Sequence, residues 1–481
     1  MPSVIIVGTG FAGIGMAIEL NRAGLHDVVL LEKAGDIGGV WRENTYPGAG
    51  CDIPSPYYSY SYEPFSGWPM RFSLRADIQA YLRRTADKYG VTPLIRFNTE
   101  VTGATFDAGR GRWLVRTSTG TTYEADVFVP AVGQLSRPHW PELPGLDTFA
   151  GANFHSAQWN HEYDLAGKRV GVIGTGASAI QFVPRLQPQV ARLTLFQRTA
   201  PYVVPKADVT YKRWQHAMFR RVPWTMLPER AFFWGLCELA TIGLKGNTAM
   251  TNLVGKLSNA MRTRQIADPE LRAKLTPDYP AGCKRVLFAS DYYPAVAQPN
   301  VRVETGRIVA ITPAGVRTDD GVEHELDAIV YATGFRTTEF LGPMRVSGLD
   351  GLDLRDAWQD GARAYYGMTV PGFPNMFLMY GPNTNLGCGS IIYMLERQAR
   401  YIRQAVQHLA DTGASYVDVR AAVADRFDDE VQRRLARSVW SRCRSWYREA
   451  GGRVSTNWPG LVSEYHRRTK TLNPADYEVT L

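Results

Sequence analysis

Two glycine-rich turns, each following a continuous apolar run, constrain the fold of this 481-residue chain more than any other feature. Residues 3–7 suit a parallel strand buried on both faces, and they lead directly into Gly8-Thr-Gly10-Phe-Ala-Gly13. In such a turn the first glycine permits the tight bend, the second lets backbone approach a pyrophosphate, and the third lets helix and strand pack closely. With a helical pattern following over 14–23, the spacing predicts a Rossmann-like fold.

An acid follows this first turn at the position that selects the nucleotide. Residues 28–31 predict a second strand, and Glu32 comes directly after it, about 20 residues past the glycines. A carboxylate there accepts hydrogen bonds from ribose hydroxyls and disfavours a 2′-phosphate. The first fold therefore predicts binding of FAD or NAD and not NADP, unless the glycines form a turn of another α/β fold.

A second turn of the same kind lies further along the chain. Residues 168–173 predict a strand, and Gly174-Thr-Gly176-Ala-Ser-Ala179 is the turn, with a tolerated alanine in the third position. The next predicted strand, 193–196, is followed by Gln197-Arg198-Thr199. Arg198 takes the place that Glu32 has in the first fold, and an arginine there can pair with a ribose 2′-phosphate. The second fold predicts NADP(H), unless Arg198 is an ordinary surface arginine.

The remaining segments indicate how the domains are organised. Residues 126–133 and 327–335 are matching buried strands that end in small residues, as expected where a chain leaves one dinucleotide domain and enters another. Residues 207–278 place aromatic, Met and Leu residues at helical spacings. We predict an α/β protein with two Rossmann-like dinucleotide-binding domains and a helical insertion. The predicted boundaries are 1–145 with 335–481 for the first domain, 146–206 with 279–334 for the second, and 207–278 for the insertion.

Three loops contain candidate site residues. Residues 38–52 form a glycine-opened loop that ends at Asp52, which either caps a helix or turn or partners a cation beside a flavin ring. Lys284-Arg285 is a basic pair in a Gly/Pro-flanked loop, and in isolation such a pair indicates solvated surface. Residues 373–383 predict a last strand and a loop whose backbone N–H groups can face a flavin carbonyl, ahead of a helix over 390–411.

Composition excludes several function classes. Hydrophobic residues make up 45 % and charged residues 21 % of the chain, as in an ordinary soluble protein. The net charge is +8, without a long Lys/Arg run or an aromatic-interleaved basic motif, so we expect no nucleic-acid partner. The apolar span 231–244 contains Glu238 and is too short to cross a bilayer. A strand beginning by residue 4 leaves no room for a signal peptide.

The five cysteines are widely separated and form no CxxC pair. This spacing argues against a disulfide framework or a zinc site and for a reducing compartment. We therefore expect a cytoplasmic protein with no metal site and no stable membrane insertion. The cysteines are Cys51, Cys237, Cys283, Cys388 and Cys443.

Two further motifs carry a resemblance to a known family. Phe149-x-Gly151-x3-His155-x3-Trp159, between the two folds, looks like the fingerprint of the type I Baeyer–Villiger monooxygenases, which are class B flavoprotein monooxygenases. The related N- and S-oxygenating enzymes usually have Tyr or Phe in place of Trp159. Gly38-Gly39-x-Trp41-x4-Tyr46-Pro47-Gly48-x3-Asp52 matches a second signature of the family at every fixed position.

The resemblance implies FAD on the first fold, NADPH on the second, and an activity. One atom of O2 would be inserted next to a ketone carbonyl through a C4a-peroxyflavin, giving an ester or lactone. The implied partners are a small-molecule ketone and O2, and the implied assembly is a monomer or homodimer. Oxygenation of amines or sulfides is the alternative, and a dithiol–disulfide reductase would need a CxxC that this sequence lacks.

The resemblance also implies roles for individual residues. Arg285 would be the catalytic arginine and Asp52 its acidic partner. Gly151, His155 and Trp159 would couple the positions of the two domains without transferring protons. The implied cofactor contacts are Asp52 together with Gly8, Gly10, Gly13, Glu32, Gly39, Trp41, Val101, Gly174, Gly176, Arg198, Thr199, Lys284, Asn383 and Trp446.

Overall fold

The structure is a computed structural model that describes residues 1–246, 248–449 and 451–481. The α-helices of these ranges are α1 (Phe11–Arg22), α2 (Val40–Glu43), α3 (Arg75–Lys88), α4 (Ala177–Leu186), α5 (Arg213–Arg221), α6 (Leu227–Leu244), α7 (Thr248–Gln265), α8 (Pro269–Lys274), α9 (Tyr292–Val296), α10 (Leu354–Ala357), α11 (Ile391–Thr412), α12 (Ala421–Ala436) and α13 (Val462–Arg468). The strands are β1 (Val4–Val7), β2 (Val28–Leu31), β3 (Ile95–Arg96), β4 (Val101–Asp107), β5 (Arg112–Thr117), β6 (Thr122–Ala125), β7 (Val127–Pro130), β8 (Ala152–His155), β9 (Arg169–Ile173), β10 (Arg192–Phe196), β11 (Val203–Val204), β12 (Leu287–Phe288), β13 (Val301–Glu304), β14 (Ile308–Thr312), β15 (Gly315–Thr318), β16 (Glu323–Glu325), β17 (Ala328–Tyr331), β18 (Arg345–Ser347), β19 (Tyr416–Val419) and β20 (Tyr477–Thr480).

A first parallel sheet lies at the centre of the N-terminal nucleotide fold. Its strand order is β3–β2–β1–β7, with Val4 aligned to Val28 on one side and to Val127 on the other. All four residues of β1 are buried, because Val4 and Ile6 pack against helices on one face of the sheet, while Ile5 and Val7 pack against β4 and β5 on the other. The apolar runs predicted as strands from the sequence therefore form strands here.

A second parallel sheet repeats the arrangement with the order β13–β10–β9–β17–β8. Strand β9 leads through the second glycine turn into α4, and the strand predicted over 193–196 is β10. Its edge strand β8 contains His155 and pairs with β17 so that His155 lies opposite Tyr331. The fingerprint segment is thus part of this sheet.

Smaller elements surround the two parallel sheets. β18–β4–β5–β6 and β14–β15–β16 are separate, largely antiparallel sheets. In sequence, β4 to β6 lie between β3 and β7 of the first parallel sheet, and β14 to β16 lie between β13 and β17 of the second. The chain between β11 and β12 contains α5 to α8, and β11 and β12 pair with each other. The helices of residues 213–274 therefore leave and re-enter the second fold at a single paired position. Within the described ranges, no helix combines the length and the apolar character that a membrane span requires.

The prediction of a last strand over residues 373–383 is wrong. Only an isolated bridge forms between Phe128 and Met376, although Phe377 and Met379 donate backbone hydrogen bonds to β7 at 2.9 Å each. Asn375 and Tyr380 adopt positive φ angles of 55° and 60°, which interrupt an extended strand at both ends. The helix predicted after this segment is confirmed as α11, which buries Ile392, Leu395, Ala399 and Ile402.

The cysteines differ from the sequence-based expectation in one respect. Cys283 and Cys443 form a disulfide across 160 residues of sequence, while Cys51, Cys237 and Cys388 are free. Spacing rules test neighbouring cysteines, so they are insensitive to a pair that only tertiary folding brings together. The bond joins the loop of Lys284-Arg285 to the segment before Trp446.

Candidate active site

The two glycine turns combine close packing with open backbone. Gly8 and Gly174 have φ angles of +103° and +102°, and a Cβ on either would lie within 2.8 Å of a carbonyl oxygen of the neighbouring strand end. A Cβ on Gly13 would lie 1.9 Å from the carbonyl oxygen of Gly8. Gly10 and Gly176 differ, because a Cβ there would meet nothing closer than 3.8 Å.

This open space adjoins the N-termini of α1 and α4. Gly10 and Gly176 are their N-cap residues, and neither helix has a side-chain cap. The first N–H groups of a helix lack intrahelical partners and carry the positive end of the helix dipole, so they bind phosphate well. Both turns therefore fit the pyrophosphate of a dinucleotide.

Glu32 lies at the end of β2, buried and fully engaged. One carboxylate oxygen accepts hydrogen bonds from the Thr9 N–H and hydroxyl at 3.0 and 2.7 Å. The other accepts from the Ala34 N–H at 3.0 Å and from Arg42 at 2.9 Å. Arg42 was not identified from the sequence, since nothing in its spacing marks it as the partner of Glu32. The acid predicted to meet a ribose also orders the turn around it.

Arg198, Thr199 and Lys284 lie at the corresponding end of the second fold. Arg198 directly follows Gln197 at the end of β10 and is exposed. The pKa of Lys284 is lowered, first by burial and then by the positive charge of Arg198, while Asp278 opposes this shift, so the two cations lie near each other. Neither forms an ion pair with a carboxylate in the described part of the chain. Two neighbouring unpaired cations are suited to an anion such as a 2′-phosphate.

Asp52 and Arg285 form an ion pair across 233 residues of sequence. One Arg285 nitrogen lies 2.7 Å from Asp52 Oδ1 and 2.6 Å from Oδ2. The Asp52 side chain is 16 % accessible and that of Arg285 39 %. The charge of Asp52 raises the pKa of Arg285, against the opposing effect of burial. Of the two roles predicted for Asp52, the structure shows the cationic partner, and no cap hydrogen bond to it occurs in the described residues.

Aromatic hydroxyls and a thiol surround this pair. Tyr447 is buried and Tyr380 partly buried, and both are close enough for Arg285 to lower their pKa values, yet desolvation outweighs this effect and raises the pKa of Tyr447 to about 12. Burial likewise raises the pKa of Cys51 to about 12. These groups therefore stay neutral near pH 7 and leave Arg285 and Asp52 as the charges. Tyr447 and Tyr380 were missed because only the fold brings them together.

The loop that ends at Asp52 packs on α4 of the second fold. The Tyr46 hydroxyl donates to Gln181 at 3.0 Å, and the Gln181 side chain donates to the Gly50 carbonyl at 3.0 Å. Gly48 has φ +79°, and a Cβ there would lie 2.7 Å from the Gln181 carbonyl oxygen, so the close approach needs glycine. The position of Asp52 is consequently tied to a helix of the other fold.

The fingerprint residues lie at the same junction. Trp159 and Tyr46 both pack on Phe182 of α4, with ring centroids 5.3 and 6.0 Å apart from it. A Cβ on Gly151 would lie 2.4 Å from the Asp327 carbonyl oxygen, so β8 lies close against the start of β17. Phe182 therefore connects the fingerprint tryptophan to the loop of Asp52.

His155 is a buried, neutral residue. Its Nδ1 accepts a hydrogen bond from the Ala157 N–H at 3.1 Å, and its ring lies 5.8 Å from that of Trp140 and 6.0 Å from that of Phe335. Burial lowers its pKa to about 4. A histidine that is uncharged near pH 7 and enclosed by aromatic rings is suited to packing and not to proton transfer.

Three further predicted cofactor contacts, Gly39, Trp41 and Val101, differ in what surrounds them. Gly39 backs onto Gly10, since a Cβ on it would lie 3.1 Å from the Gly10 Cα. The Trp41 indole N–H donates to the Tyr58 hydroxyl at 3.3 Å. Val101 begins β4 and is buried in its apolar cluster.

Asn383 anchors its loop to residues 454–457, and Trp446 lies three residues after the disulfide-bonded Cys443. The Asn383 side-chain amide donates to the carbonyls of Val454 and Asn457 at 2.8 and 3.0 Å, and its N–H donates to Ser455 at 2.7 Å. All its donors thus serve the protein, so Asn383 positions its loop and does not offer these groups to a flavin. Trp446 is 37 % exposed, and its ring centroid lies 4.2 Å from that of Tyr447.

Comparison with known proteins agrees with this geometry. Residues 5–222 match a family model described as pyridine nucleotide-disulphide oxidoreductase. The chain is 44 % identical over 479 residues to a Baeyer-Villiger monooxygenase of Streptomyces coelicolor, covering 99 % of this chain and 92 % of that protein. It is 42 % identical over 480 residues to a Baeyer-Villiger monooxygenase of Pseudomonas aeruginosa, covering 99 % and 91 %.

Solved structures show the same architecture over the whole chain. A closed crystal structure of cyclohexanone monooxygenase superposes with a TM-score of 0.90 at 28 % identity, covering 100 % of this chain and 99 % of that one. A crystal structure of OTEMO in complex with FAD and NADP gives a TM-score of 0.90 at 26 % identity, with the same coverage. The arrangement of the two nucleotide folds is therefore shared along the full length.

Proposed function

Because the chain belongs to the Baeyer–Villiger monooxygenase family, we propose that it is an FAD-dependent enzyme that converts a ketone into an ester or lactone. The overall reaction consumes the ketone, O2, NADPH and a proton, and it yields the ester, NADP+ and water. The observation that carries the proposal is the Arg285–Asp52 ion pair, which connects a loop of the first fold to a loop of the second. The pair therefore lies where nucleotides bound to the two folds would approach each other.

The first fold has the groups needed to hold FAD. The turn at Gly10 and the uncapped start of α1 would bind the pyrophosphate, and Glu32 would meet the ribose beside Thr9. Gly39 and Trp41 line the loop that continues to Asp52. Each group already has its backbone set by packing, so binding would require little rearrangement.

The second fold has the groups needed to hold NADPH. The turn at Gly176 and the start of α4 would bind its pyrophosphate, while Arg198, Thr199 and Lys284 would surround the 2′-phosphate. Trp446 would lie near the nicotinamide half, since its segment is linked through Cys443 to the loop of Arg285. Because Arg198 and Lys284 form no ion pair in the described residues, they would bind the 2′-phosphate of NADPH and so favour NADPH over NADH.

Arg285 would stabilise negative charge during the reaction. When bound, FAD and NADPH supply the electron pair that activates O2. A guanidinium remains protonated at every working pH and can donate to an oxygen that gains negative charge as the ketone carbon becomes tetrahedral. Asp52 fixes its direction through the 2.6 and 2.7 Å contacts. Because the tyrosines and Cys51 around the pair stay neutral, the Arg285 guanidinium would be the positive charge that meets this oxygen.

The fingerprint segment would couple the two folds. Trp159 reaches the Asp52 loop through Phe182 and Tyr46, so a shift of α4 would move Asp52 and Arg285 together. His155 would keep β8 packed between the aromatic rings around it. Its low pKa makes it a positioning residue.

Product analysis under labelled oxygen tests this function. The FAD-loaded enzyme would be incubated with NADPH, 18O2 and panels of cyclic, aryl and long-chain ketones, alongside sulfides and amines. We expect an ester or lactone that carries one labelled atom. Formation of N- or S-oxides without any ester across the ketone panel would overturn the proposal in favour of heteroatom oxygenation.

The proposed enzyme acts on a small ketone with O2 in the cytoplasm, as a monomer or a homodimer. The wide spread of exposed charges supports a water-exposed surface over most of the chain. Light scattering coupled to size exclusion distinguishes the two assemblies, given the 53.6 kDa chain mass.

A further inference from the structure

The helical segment 212–264 presents an unusual number of apolar side chains to solvent. Nine of the seventeen large apolar side chains that are exposed in the described residues lie in its short span. On α6, Phe232, Leu236 and Leu239 are 65 %, 49 % and 57 % exposed, and their i, i+4, i+7 spacing places them on one face. Single exposed apolar residues are ordinary, whereas such a cluster marks a binding surface.

The neighbouring helix α7 extends this surface. Leu253 and Leu257, one turn apart, are each 51 % exposed. The two helices meet at Gly243, where a Cβ would lie 2.6 Å from the Met250 Cβ. The two stripes therefore belong to one helical hairpin, which we call the docking face.

Positive charge accompanies the apolar stripes. Segment 212–264 contains nine Lys or Arg and two acidic residues, a net charge of +7 within a chain whose net charge is +8. Both acids are used within the protein. Glu229 accepts from Arg71 at 2.7 Å and from the Tyr211 hydroxyl at 3.1 Å, and Glu238 accepts from the Val462 N–H at 2.7 Å.

Four basic side chains of this segment lie at the surface. Arg220, Arg221, Lys245 and Lys256 are solvent-exposed, and none of them forms an ion pair within the described ranges. Helices that combine Trp, Phe and Leu on one face with Lys and Arg around it bind at the interface of a bilayer. Anionic headgroups attract such bases from within a Debye length.

We infer that the docking face binds reversibly to the surface of an anionic lipid bilayer. A second copy of this chain fits less well, because a two-fold contact would bring the bases of segment 212–264 towards the same bases of the other copy. A nucleic acid would neutralise the bases and leave the leucines exposed. An anionic bilayer offers apolar chains to the exposed leucines and negative headgroups to the bases.

The opposite side of α6 anchors the hairpin to the enzyme. Arg230 donates to the carbonyls of Pro56 and Ser59 at 2.8 and 3.1 Å, and Cys237 faces Cys388 with the two sulfurs 2.9 Å apart. Docking therefore needs no unfolding of α6, because its inward contacts are separate from the exposed stripe. The binding is interfacial, consistent with helices of the described ranges that are too polar or too short to span.

Vesicle binding tests this inference without NADPH or ketone, so its outcome is independent of the proposed activity. The FAD-loaded enzyme is sedimented with phosphatidylcholine vesicles that contain or lack phosphatidylglycerol. We expect at least tenfold stronger binding to the anionic vesicles and loss of that preference in high salt. Phe232→Ser/Leu236→Ser is expected to weaken binding at least tenfold, and Arg220→Glu/Arg221→Glu is expected to remove the anionic preference.

Matched variants elsewhere on the surface serve as controls. Val322→Ser/Leu352→Ser removes two exposed apolar residues and Arg302→Glu/Arg345→Glu changes charge equally, both far from the segment in sequence. These variants should bind as the wild type does. Equal loss in control and test variants, or no binding to anionic vesicles, would overturn the inference. A dimer that Phe232→Ser/Leu236→Ser converts to monomer would assign the face to a second copy instead.

Discussion

Glu32 and Arg198 occupy equivalent places, each just beyond the second strand of its nucleotide fold, yet their surroundings differ. Glu32 is 3 % exposed and accepts four hydrogen bonds, one of them from Arg42. Arg198 is exposed, and the charge that it faces is the like charge of Lys284. The fold determines the position of the residue that is predicted to select the nucleotide. The side chains around that residue determine whether it also stabilises the fold.

The largest effect is expected where the two folds meet. Arg285→Ala should lower the rate of ester formation about 10²–10³-fold or more, because a preorganised charge facing a developing oxyanion contributes on this scale. Flavin reduction by NADPH should persist. Stopped-flow absorbance gives the reduction rate and gas chromatography the ester. Arg302→Ala, an exposed arginine of β13, is the control, and normal ester yield from Arg285→Ala would remove its assigned role.

Loss of Glu32 should damage the first fold itself. Glu32→Ala leaves Arg42 without its buried partner and the Thr9 hydroxyl without its acceptor, which should cost about 3–5 kcal/mol of unfolding free energy. Urea denaturation measures this cost. Glu304→Ala, at the end of β13, removes an acid without an ion pair in the described residues and should have little effect. If Glu32→Ala unfolds at the same urea concentration as the wild type, Glu32 contributes no more to the stability of its fold than Arg198 does.

The segment between the folds should respond to pH. Burial lowers the pKa of folded His155 to about 4, below the ordinary value of about 6.5, so between these values the unfolded chain binds a proton that the folded chain does not. Stability is therefore full above about pH 6.5 and falls as the pH is lowered towards 4. We expect about 2 kcal/mol of this loss between pH 7 and pH 5 from His155 alone.

His155→Gln provides the comparison, since glutamine does not titrate. Urea midpoints of both proteins at pH 7 and pH 5 isolate the contribution of the histidine from that of other groups. Parallel losses in the two proteins would mean that His155 is already charged or already solvated at pH 5.

The smallest effect concerns the second fold. Arg198→Ala should raise the Michaelis constant for NADPH about tenfold and leave that for NADH unchanged, because one charge-assisted hydrogen bond is worth about 1.5–3 kcal/mol and Lys284 remains. Thermal stability should not change, in contrast to Glu32→Ala. Arg192→Ala, exposed at the start of the same strand, is the control. An equal rise for both nucleotides would deny Arg198 its selective role.

Local patterns were sufficient to predict the central strands of both parallel sheets. A continuous apolar run followed by a glycine turn is compatible with few folds, so β1, β2, β9 and β10 were predicted from short stretches of sequence. The prediction of a strand over 373–383 was wrong. The positive φ angles at Asn375 and Tyr380 interrupt the strand, and the pattern of apolar residues does not reveal them. Glu32 and Arg198, which are predicted to select the nucleotide, were identified from their distance to the glycines of each turn.

Long-range contacts of the site were less accessible from sequence. The Asp52–Arg285 pair came from family resemblance, since spacing alone suits a capping carboxylate and a solvated basic pair equally well. Arg42, Tyr380 and Tyr447 carried no signal, because their roles depend on side chains that are distant along the chain. The Cys283–Cys443 bond was unexpected for the same reason. Spacing rules describe neighbours along the chain, whereas this site is assembled from separate loops.

The Cys283–Cys443 bond also makes a closed covalent ring of the chain between these cysteines. Strands of the second fold and helix α11 of the first both belong to this ring. A protease that cuts once at the exposed turn 319–321 would open the ring without dividing the molecule. The two polypeptides would migrate as one species on a denaturing gel and separate only after reduction.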